Sequence, residues 1–137
     1  ANQYDIPILI HSRDAASDTY QILKKYAKTK VLMHCFSDSL EMMKEYLKLG
    51  FYISFSGTVT FKNAKAPKEN VINCPIERLM VETDCPYMTP EPFRGKENQT
   101  AYVKYTAEYI AKIKNISIED MQERLMENFQ DFFKVKL

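Results

Sequence analysis

Two acidic residues, Glu82 and Asp84, follow an apolar run in the stretch LMVETDCPYMTP, residues 79–90. An apolar run of this length with turn residues on both sides predicts a buried strand. Side chains alternate along a strand, so both carboxylates point to one face and Thr83 points to the other. Two acids at the exit of a buried strand need a compensating positive charge. A bound metal ion is the simplest candidate, and helix capping or a surface ion pair is the alternative.

The chain's two histidines occupy similar positions at two earlier apolar runs. His11 ends the run in PILIHSRD, and His34 ends the run in KVLMHCFSD. A single histidine at a strand end is more often a packed residue than a ligand. In parallel α/β folds, however, the carboxyl ends of the strands and the loops that follow them carry the chemistry. Two histidines and Asp84, each placed where a strand passes into a loop, therefore predict one metal site at one end of a sheet.

The elements that must position these residues alternate between strands and helices. We predict strands over residues 6–11, 31–36, 51–56 and 76–84. Helices are predicted over residues 14–26, 40–49, 61–72, 100–114 and 117–134. Pro67 is expected to interrupt the third helix, and Ser117 with Asp120 forms a capping pattern at the start of the last one. This alternation predicts an α/β fold with a parallel sheet, and four β/α units make half of an eight-stranded TIM-type barrel.

Length and composition indicate a single domain over residues 1–137, with the hydrophobic and charged content of an ordinary globular protein. The formal net charge is +1, so any binding to phosphate must be local. Three cysteines without a CxxC pair indicate reduced, packed thiols in a cytoplasmic protein. No apolar run approaches the length of a membrane span, so we expect no membrane partner. The chain starts without Met and almost inside a strand, which predicts a fragment or a processed product.

Several motifs in order along the chain give a specific resemblance to a known family. They are IPILIHSRDA, VLMHCFSDS, GFYISFSGTVTFKNA, PIERLMVETDCPYMTP, FRGKENQ and ENFQDFF. The sequence resembles the C-terminal half of the TatD family of metal-dependent deoxyribonucleases, and the resemblance runs essentially from end to end. It implies half of a TIM-type barrel with a two-metal site at the carboxyl ends of the strands, where DNA phosphodiesters are hydrolysed.

The resemblance also implies roles for individual residues. His11 and His34 would bind one divalent ion, and Asp84 would bind the other ion and assist as a general base. A contact to phosphate is implied near Arg13 or Arg94. Histidine nitrogen and carboxylate oxygen suit zinc, manganese and magnesium to different degrees, so the ligand types leave the metal undecided. In two-metal hydrolysis the ions acidify a water molecule and stabilise the charge that develops on the phosphorus centre.

Other residues near these motifs have two interpretations each. Glu82 either orients a metal ligand or forms a salt bridge to a loop lysine or arginine. The turn formed by Arg94, Gly95 and Lys96 is favoured as a contact to the phosphate backbone, and a solvated loop is the alternative. Tyr87 and Phe93 either stack on a base or hold the loop in place.

The sequence departs from the family pattern mainly by what it does not contain. The first half of the family carries a His-x-His pair on its first strand and a bridging glutamate on its fourth, and neither is present. Asp38 stands where the family usually has glycine, and Cys85 where it often has alanine. We therefore expect weak metal binding and little nuclease activity from this chain alone. A non-catalytic half-barrel and an amidohydrolase-like enzyme acting on a small substrate are the alternative functions.

An open four-stranded sheet should need a partner. We expect the face that lines a complete barrel to include Leu9, Leu32, Met80 and either Ile53 or its neighbours. Each large apolar side chain left in water would lose about 1.5–3 kcal/mol of burial free energy. The chain is therefore predicted to form a two-fold homodimer through the open sheet, or to pair with a missing N-terminal half.

Overall fold

The computed structural model describes all residues, 1–137, and alternates strands with helices as the sequence predicts. The first seven main elements are β1 (Ile8–Ile10), α1 (Ala16–Tyr26), β2 (Val31–Met33), α2 (Leu40–Lys48), β3 (Tyr52–Phe55), α3 (Lys65–Asn73) and β4 (Leu79–Val81). Two helices, α4 (Val103–Lys114) and α5 (Ile118–Phe133), complete the chain. The strands are shorter than predicted: β2 ends at Met33, and a 3-10 helix over Ile76–Arg78 precedes β4.

The four strands form one parallel sheet in the order β1-β2-β3-β4. Sequential order is the simplest solution for right-handed β/α units that follow one another along the chain. The α/β class and the parallel sheet are thus confirmed. One edge of β1 and one edge of β4 remain without a neighbouring strand, as expected for an open part of a barrel.

Local signals place the helix starts. The hydroxyl oxygen of Ser39 accepts a hydrogen bond from the amide of Met42, and that of Ser117 accepts one from the amide of Asp120, at 3.3 and 3.0 Å. The predicted interruption of the third helix by Pro67 is wrong. The helix starts at Lys65, so Pro67 lies in the first turn, where its missing amide hydrogen is not needed for an intrahelical bond.

Apolar side chains cover both faces of the sheet. The main core lies between the sheet and the helices and contains Ile53, which is fully buried. The opposite face carries Leu32, Tyr52 and Met80, and Phe132 at the end of α5 packs against them. The prediction that this face is exposed is wrong for Leu32 and Met80, which are 4% and 7% exposed. It holds only for Leu9 on the edge strand, which is 54% exposed.

A polar network closes the amino-terminal end of the sheet. The Tyr52 hydroxyl donates a hydrogen bond to the carboxylate of Asp131, which also pairs with Lys30 Nζ at 2.7 Å. Arg78 donates to the Tyr52 oxygen at 2.9 Å. Burial, followed by the bond to Asp131, raises the pKa of Tyr52 to about 12. The network ties α5 to the sheet at the end opposite to the histidines.

No helix of the structure combines the length and the apolar character that crossing a membrane requires.

Candidate functional site

The candidate ligands lie together at the carboxyl end of the parallel sheet. His34 directly follows β2, and its amide donates to the carbonyl of Ile10 on β1 at 2.9 Å. Glu82 directly follows β4, and its amide donates to the carbonyl of Phe55 on β3 at 3.1 Å. These two bonds continue the sheet pattern by one residue beyond the strands. Both side chains lie on the sheet face that carries Leu32 and Met80. His34 follows Leu32 by two positions and Glu82 follows Met80 by two, and side chains two positions apart on a strand share a face.

The centre of the site is the imidazole ring of His34. Its Nδ1 lies 2.8 Å from Oε1 of Glu82, and its Nε2 lies 3.6 Å from Oδ1 of Asp84. One donor atom from each of the three residues lies within 4.8 Å of the other two. All three side chains are partly buried, so they are sheltered from bulk water but reachable from it.

His11 stands beside this group. Its ring centre is 5.9 Å from that of His34, with the two planes tilted by 45°. The residue is exposed because β1 is the edge strand. The structure therefore brings His11, His34 and Asp84 to one end of the sheet, although 23 and 50 positions separate them in sequence.

Two residues of the site have left-handed backbone conformations that non-glycine residues seldom adopt. Asp84 has a φ of 56°, and Cys35, directly after His34, has a φ of 45°. Such a conformation costs about 1–2 kcal/mol for a residue with a side chain, so surrounding contacts must enforce it. The Cys35 thiol donates to the hydroxyl of Ser56 at 3.3 Å. Burial raises the pKa of this thiol, and the nearby Glu82 and Asp84 carboxylates add to that effect.

The charges of the site fit a cation. No lysine or arginine pairs with Glu82 or Asp84, whose ion-pair contacts are both with His34. Oε1 of Glu82 is buried and lacks a hydrogen-bond partner, although it lies only 2.8 Å from Nδ1 of His34. The 3.6 Å between His34 Nε2 and Asp84 Oδ1 is close to the separation of about 3.4 Å expected for two ligands of one tetrahedral ion. Nitrogen and carboxylate oxygen are also the donors that zinc and manganese accept.

The loop after Asp84 is fixed by contacts that the sequence analysis missed. Gly57 packs so closely against it that a Cβ atom there would lie 2.1 Å from the carbonyl oxygen of Met88. The Thr60 hydroxyl oxygen accepts a bond from the amide of Glu91 at 2.9 Å. The side chain of Asn98 is buried and donates two bonds to the same loop. The only signals for these roles in the sequence are a glycine at a strand end and an asparagine within FRGKENQ.

The remaining predicted site residues lie at the surface. Arg13 is highly exposed, with Nε 4.0 Å from Oδ2 of Asp14. Arg94 is exposed, and its guanidinium group lies over the ring of Phe61, 4.2 Å from the ring centre. Phe93 stacks on Tyr102 with ring centres 4.6 Å apart, so it holds the loop in place. Tyr87, in contrast, is 71% exposed.

Comparisons with known proteins agree on one family. A family model described as TatD related DNase matches residues 1–134. The uncharacterized metal-dependent hydrolase YabD of Bacillus subtilis (strain 168) is 48% identical over 137 residues, covering 98% of this chain and 54% of the relative. The uncharacterized metal-dependent hydrolase YcfH of Escherichia coli (strain K12) is 44% identical over 131 residues, covering 94% of this chain and 49% of the relative.

The fold comparison agrees with the sequence comparison. The crystal structure of YJJV, a TatD homolog from Escherichia coli k12, superposes with a TM-score of 0.90 at 26% identity. The match covers 99% of this chain and 53% of that structure. The chain thus spans about half the length of the curated relatives that it matches, as the predicted half-barrel requires.

Proposed function

The chain belongs to the TatD related DNase family, and we propose that it supplies the His34, Glu82 and Asp84 half of a metal-dependent site that hydrolyses DNA phosphodiesters. The observation that carries this proposal is the pair of partly buried carboxylates that lie beside a histidine and pair with no lysine or arginine. A bound divalent ion would neutralise the pair, acidify a water molecule and stabilise negative charge on phosphate oxygens. A donor set of histidine nitrogen and carboxylate oxygen is compatible with zinc, manganese and magnesium.

The three residues would have different tasks in such a site. His34 Nε2 and Asp84 Oδ1 face one another and would bind the ion, with His11 as a further nitrogen donor close by. Glu82 lies on the other edge of the imidazole ring, beside Nδ1. From there its carboxylate would hold the orientation of the ring, as an acidic partner does for many metal-binding histidines. Asp84 would also accept a proton from the attacking water.

Exposed cations and an exposed aromatic ring would bind the nucleic acid. With a net charge of +1 the chain has no strong overall attraction for DNA, so phosphate contacts must come from individual side chains. Arg94, placed over Phe61, and the exposed Arg13 are the candidates. Tyr87 follows Asp84 by three residues and exposes its ring, which would allow it to stack on a base.

We further propose that activity requires a second β/α half that closes the barrel. The free edge of β4 borders an apolar groove of about 630 Å³, and the free edge of β1 exposes Leu9. The groove lies between β4 and the last two helices and is lined by residues that include Met80, Val81, Val103, Ala107, Leu125 and Phe129. A preceding half of the same protein, or a second copy of this chain, would cover both edges and add donors to the metal site.

Cleavage of a labelled DNA oligonucleotide with manganese or magnesium tests both proposals. The 137-residue chain alone is expected to cleave little, and a fusion behind the N-terminal half of the Bacillus subtilis relative is expected to cleave well. Asp84→Asn in the fusion should abolish cleavage, whereas Asp120→Asn, a carboxylate at the start of α5, should not.

Three results would contradict the proposals. Rapid metal-dependent cleavage by the isolated chain, when light scattering shows that it is a monomer, would show that the second half is not needed. Equal loss in the Asp84→Asn and Asp120→Asn fusions would remove the assigned role of Asp84. Hydrolysis of a lactone or amide without cleavage of DNA would favour the small-substrate alternative. Light scattering of the isolated chain then distinguishes a homodimer from a monomer whose second half would have to come from another part of the protein.

A further inference from the structure

The side chain of Asn98 forms hydrogen bonds on both sides of Asp84. Its Nδ2 donates to the carbonyl of Thr83, one residue before Asp84, and to the carbonyl of Tyr87, three residues after it, both at 2.6 Å. The backbone amide of Asn98 donates to the carbonyl of Pro86 at 3.0 Å. One residue thus contacts three carbonyls of the loop that carries the aspartate.

Both polar atoms of the Asn98 carboxamide are hydrogen-bonded, which leaves the side chain little freedom to move. Its Oδ1 accepts a bond from the amide of Gln99 at 2.9 Å, so every polar atom of the carboxamide has a partner. The residue is only 4% exposed, which keeps water from competing for these bonds. A carboxamide is suited to this place because it offers two donors and an acceptor at once.

These bonds bear directly on the orientation of the Asp84 side chain. Asp84 has a left-handed backbone, with a φ of 56°, and a turn bond from the amide of Tyr87 to its carbonyl measures 3.0 Å. With the carbonyls of Thr83 and Tyr87 both fixed, the peptide groups around Asp84 cannot rotate freely. Its carboxylate is thereby kept 3.6 Å from Nε2 of His34.

We infer that Asn98 is a positioning residue that keeps Asp84 in the geometry needed to bind a metal ion. The inference rests on the proposed metal site. It differs from a general role in stability, because a loop held only for stability would leave the affinity for metal unchanged once the protein is folded.

The chain contains a matched control for this distinction. Asn128 on α5 is also buried, and its Nδ2 also donates to two carbonyls, those of Ile76 and Leu79, both at 2.7 Å. These carbonyls lie at the amino-terminal end of β4, whereas Asn98 acts beyond its carboxyl-terminal end. Asn98→Leu removes three side-chain hydrogen bonds and Asn128→Leu removes two, at opposite ends of one strand, and leucine adds no charge near the site.

The experiment titrates Co²⁺ into the 137-residue chain and its variants and follows the visible absorption of the ion, which reports its ligands. We expect Asn98→Leu to weaken binding at least tenfold and to alter the spectrum. Asn128→Leu should lower the melting temperature by a similar amount but leave the Kd within about twofold of the wild-type value. Asn98→Ala serves as a second variant if the leucine side chain prevents folding.

Hydrogen exchange at the amide of Tyr87, measured without metal, provides a second readout. It should accelerate in Asn98→Leu and stay unchanged in Asn128→Leu. An unchanged Kd in Asn98→Leu, or equal losses of affinity in both variants, would overturn the inference. If neither the wild-type chain nor its fusion behind the N-terminal half of the Bacillus subtilis relative binds Co²⁺, the proposed metal site fails. The exchange rate at Tyr87 then decides by itself whether Asn98 orders the loop around Asp84.

Discussion

Replacing Gly57 by alanine tests whether the position of Asp84 depends on the close contact between its loop and the end of β3. A Cβ atom at Gly57 would lie 2.1 Å from the carbonyl oxygen of Met88 and 2.8 Å from the backbone nitrogen of Pro90. A carbon and an oxygen atom without strong attraction stay about 3.3 Å apart, so the Met88 carbonyl must move by roughly 1 Å. Met88 is four residues after Asp84, and the displacement should reach the carboxylate.

The expected effects follow from the size of that movement. Crowding a packed site costs about 1–3 kcal/mol of stability. Changes next to metal ligands weaken binding by about 10–100-fold. We therefore expect Gly57→Ala to lower Co²⁺ affinity by a factor in that range, measured by absorption titration, together with a lower melting temperature.

Gly50→Ala is the control for this variant. Gly50 has a φ of 79° and has nothing within 4 Å of an added Cβ, so alanine there strains the backbone without any collision. It should lower stability and leave metal affinity unchanged. A Gly57→Ala protein that is destabilised to the same extent but binds Co²⁺ like the wild type would refute the reasoning.

Three further predictions concern charge, thiols and packing. Hydrogen bonds from Lys30 and Tyr52 lower the pKa of Asp131, so its contribution to stability is present above the ordinary value of 3.8 and is lost as pH falls below it. Urea unfolding between pH 6 and pH 3 should show a smaller pH dependence in Asp131→Asn. Iodoacetamide at neutral pH should label the exposed Cys85 first, as mass spectrometry would show, because Cys74 is buried and its pKa is raised to about 12. Leu32→Ala should cost about 2–5 kcal/mol in urea unfolding. Leu9→Ala should cost less than half as much, since that side chain is half-exposed.

The order of the elements was predictable because each depends on residues close in sequence. Apolar runs followed by turn residues gave four strands, and Ser117 with Asp120 gave the start of the last helix. Which side chains on the open sheet face are buried was not predictable in this way. Leu9 and Leu32 look alike in sequence, but only Leu32 is covered, since β1 is an edge strand and α5 packs on the face beside its neighbours.

The residues of the candidate site were likewise predictable only in part. His34, Glu82 and Asp84 were identifiable because polar residues at the ends of apolar runs meet at one edge of a parallel sheet. The tasks of Gly57 and Asn98 were not, because each acts on a loop at least eleven positions away. Neither residue has a charge or a reactive group that would have marked it in the sequence.

The contacts of Gly57 and Asn98 bear on how much of the site one half of a barrel can build. The loop of Asp84 is held by Gly57, Thr60 and Asn98, all of which lie within this chain. The imidazole of His34 likewise has its carboxylate neighbour, Glu82, within the chain. The orientation of these candidate ligands is therefore supported by contacts within this chain, and a second half would add further donors and cover the free edges of β1 and β4. In such a site, one half of the barrel can orient its own ligands correctly while the affinity for metal still depends on donors from the other half.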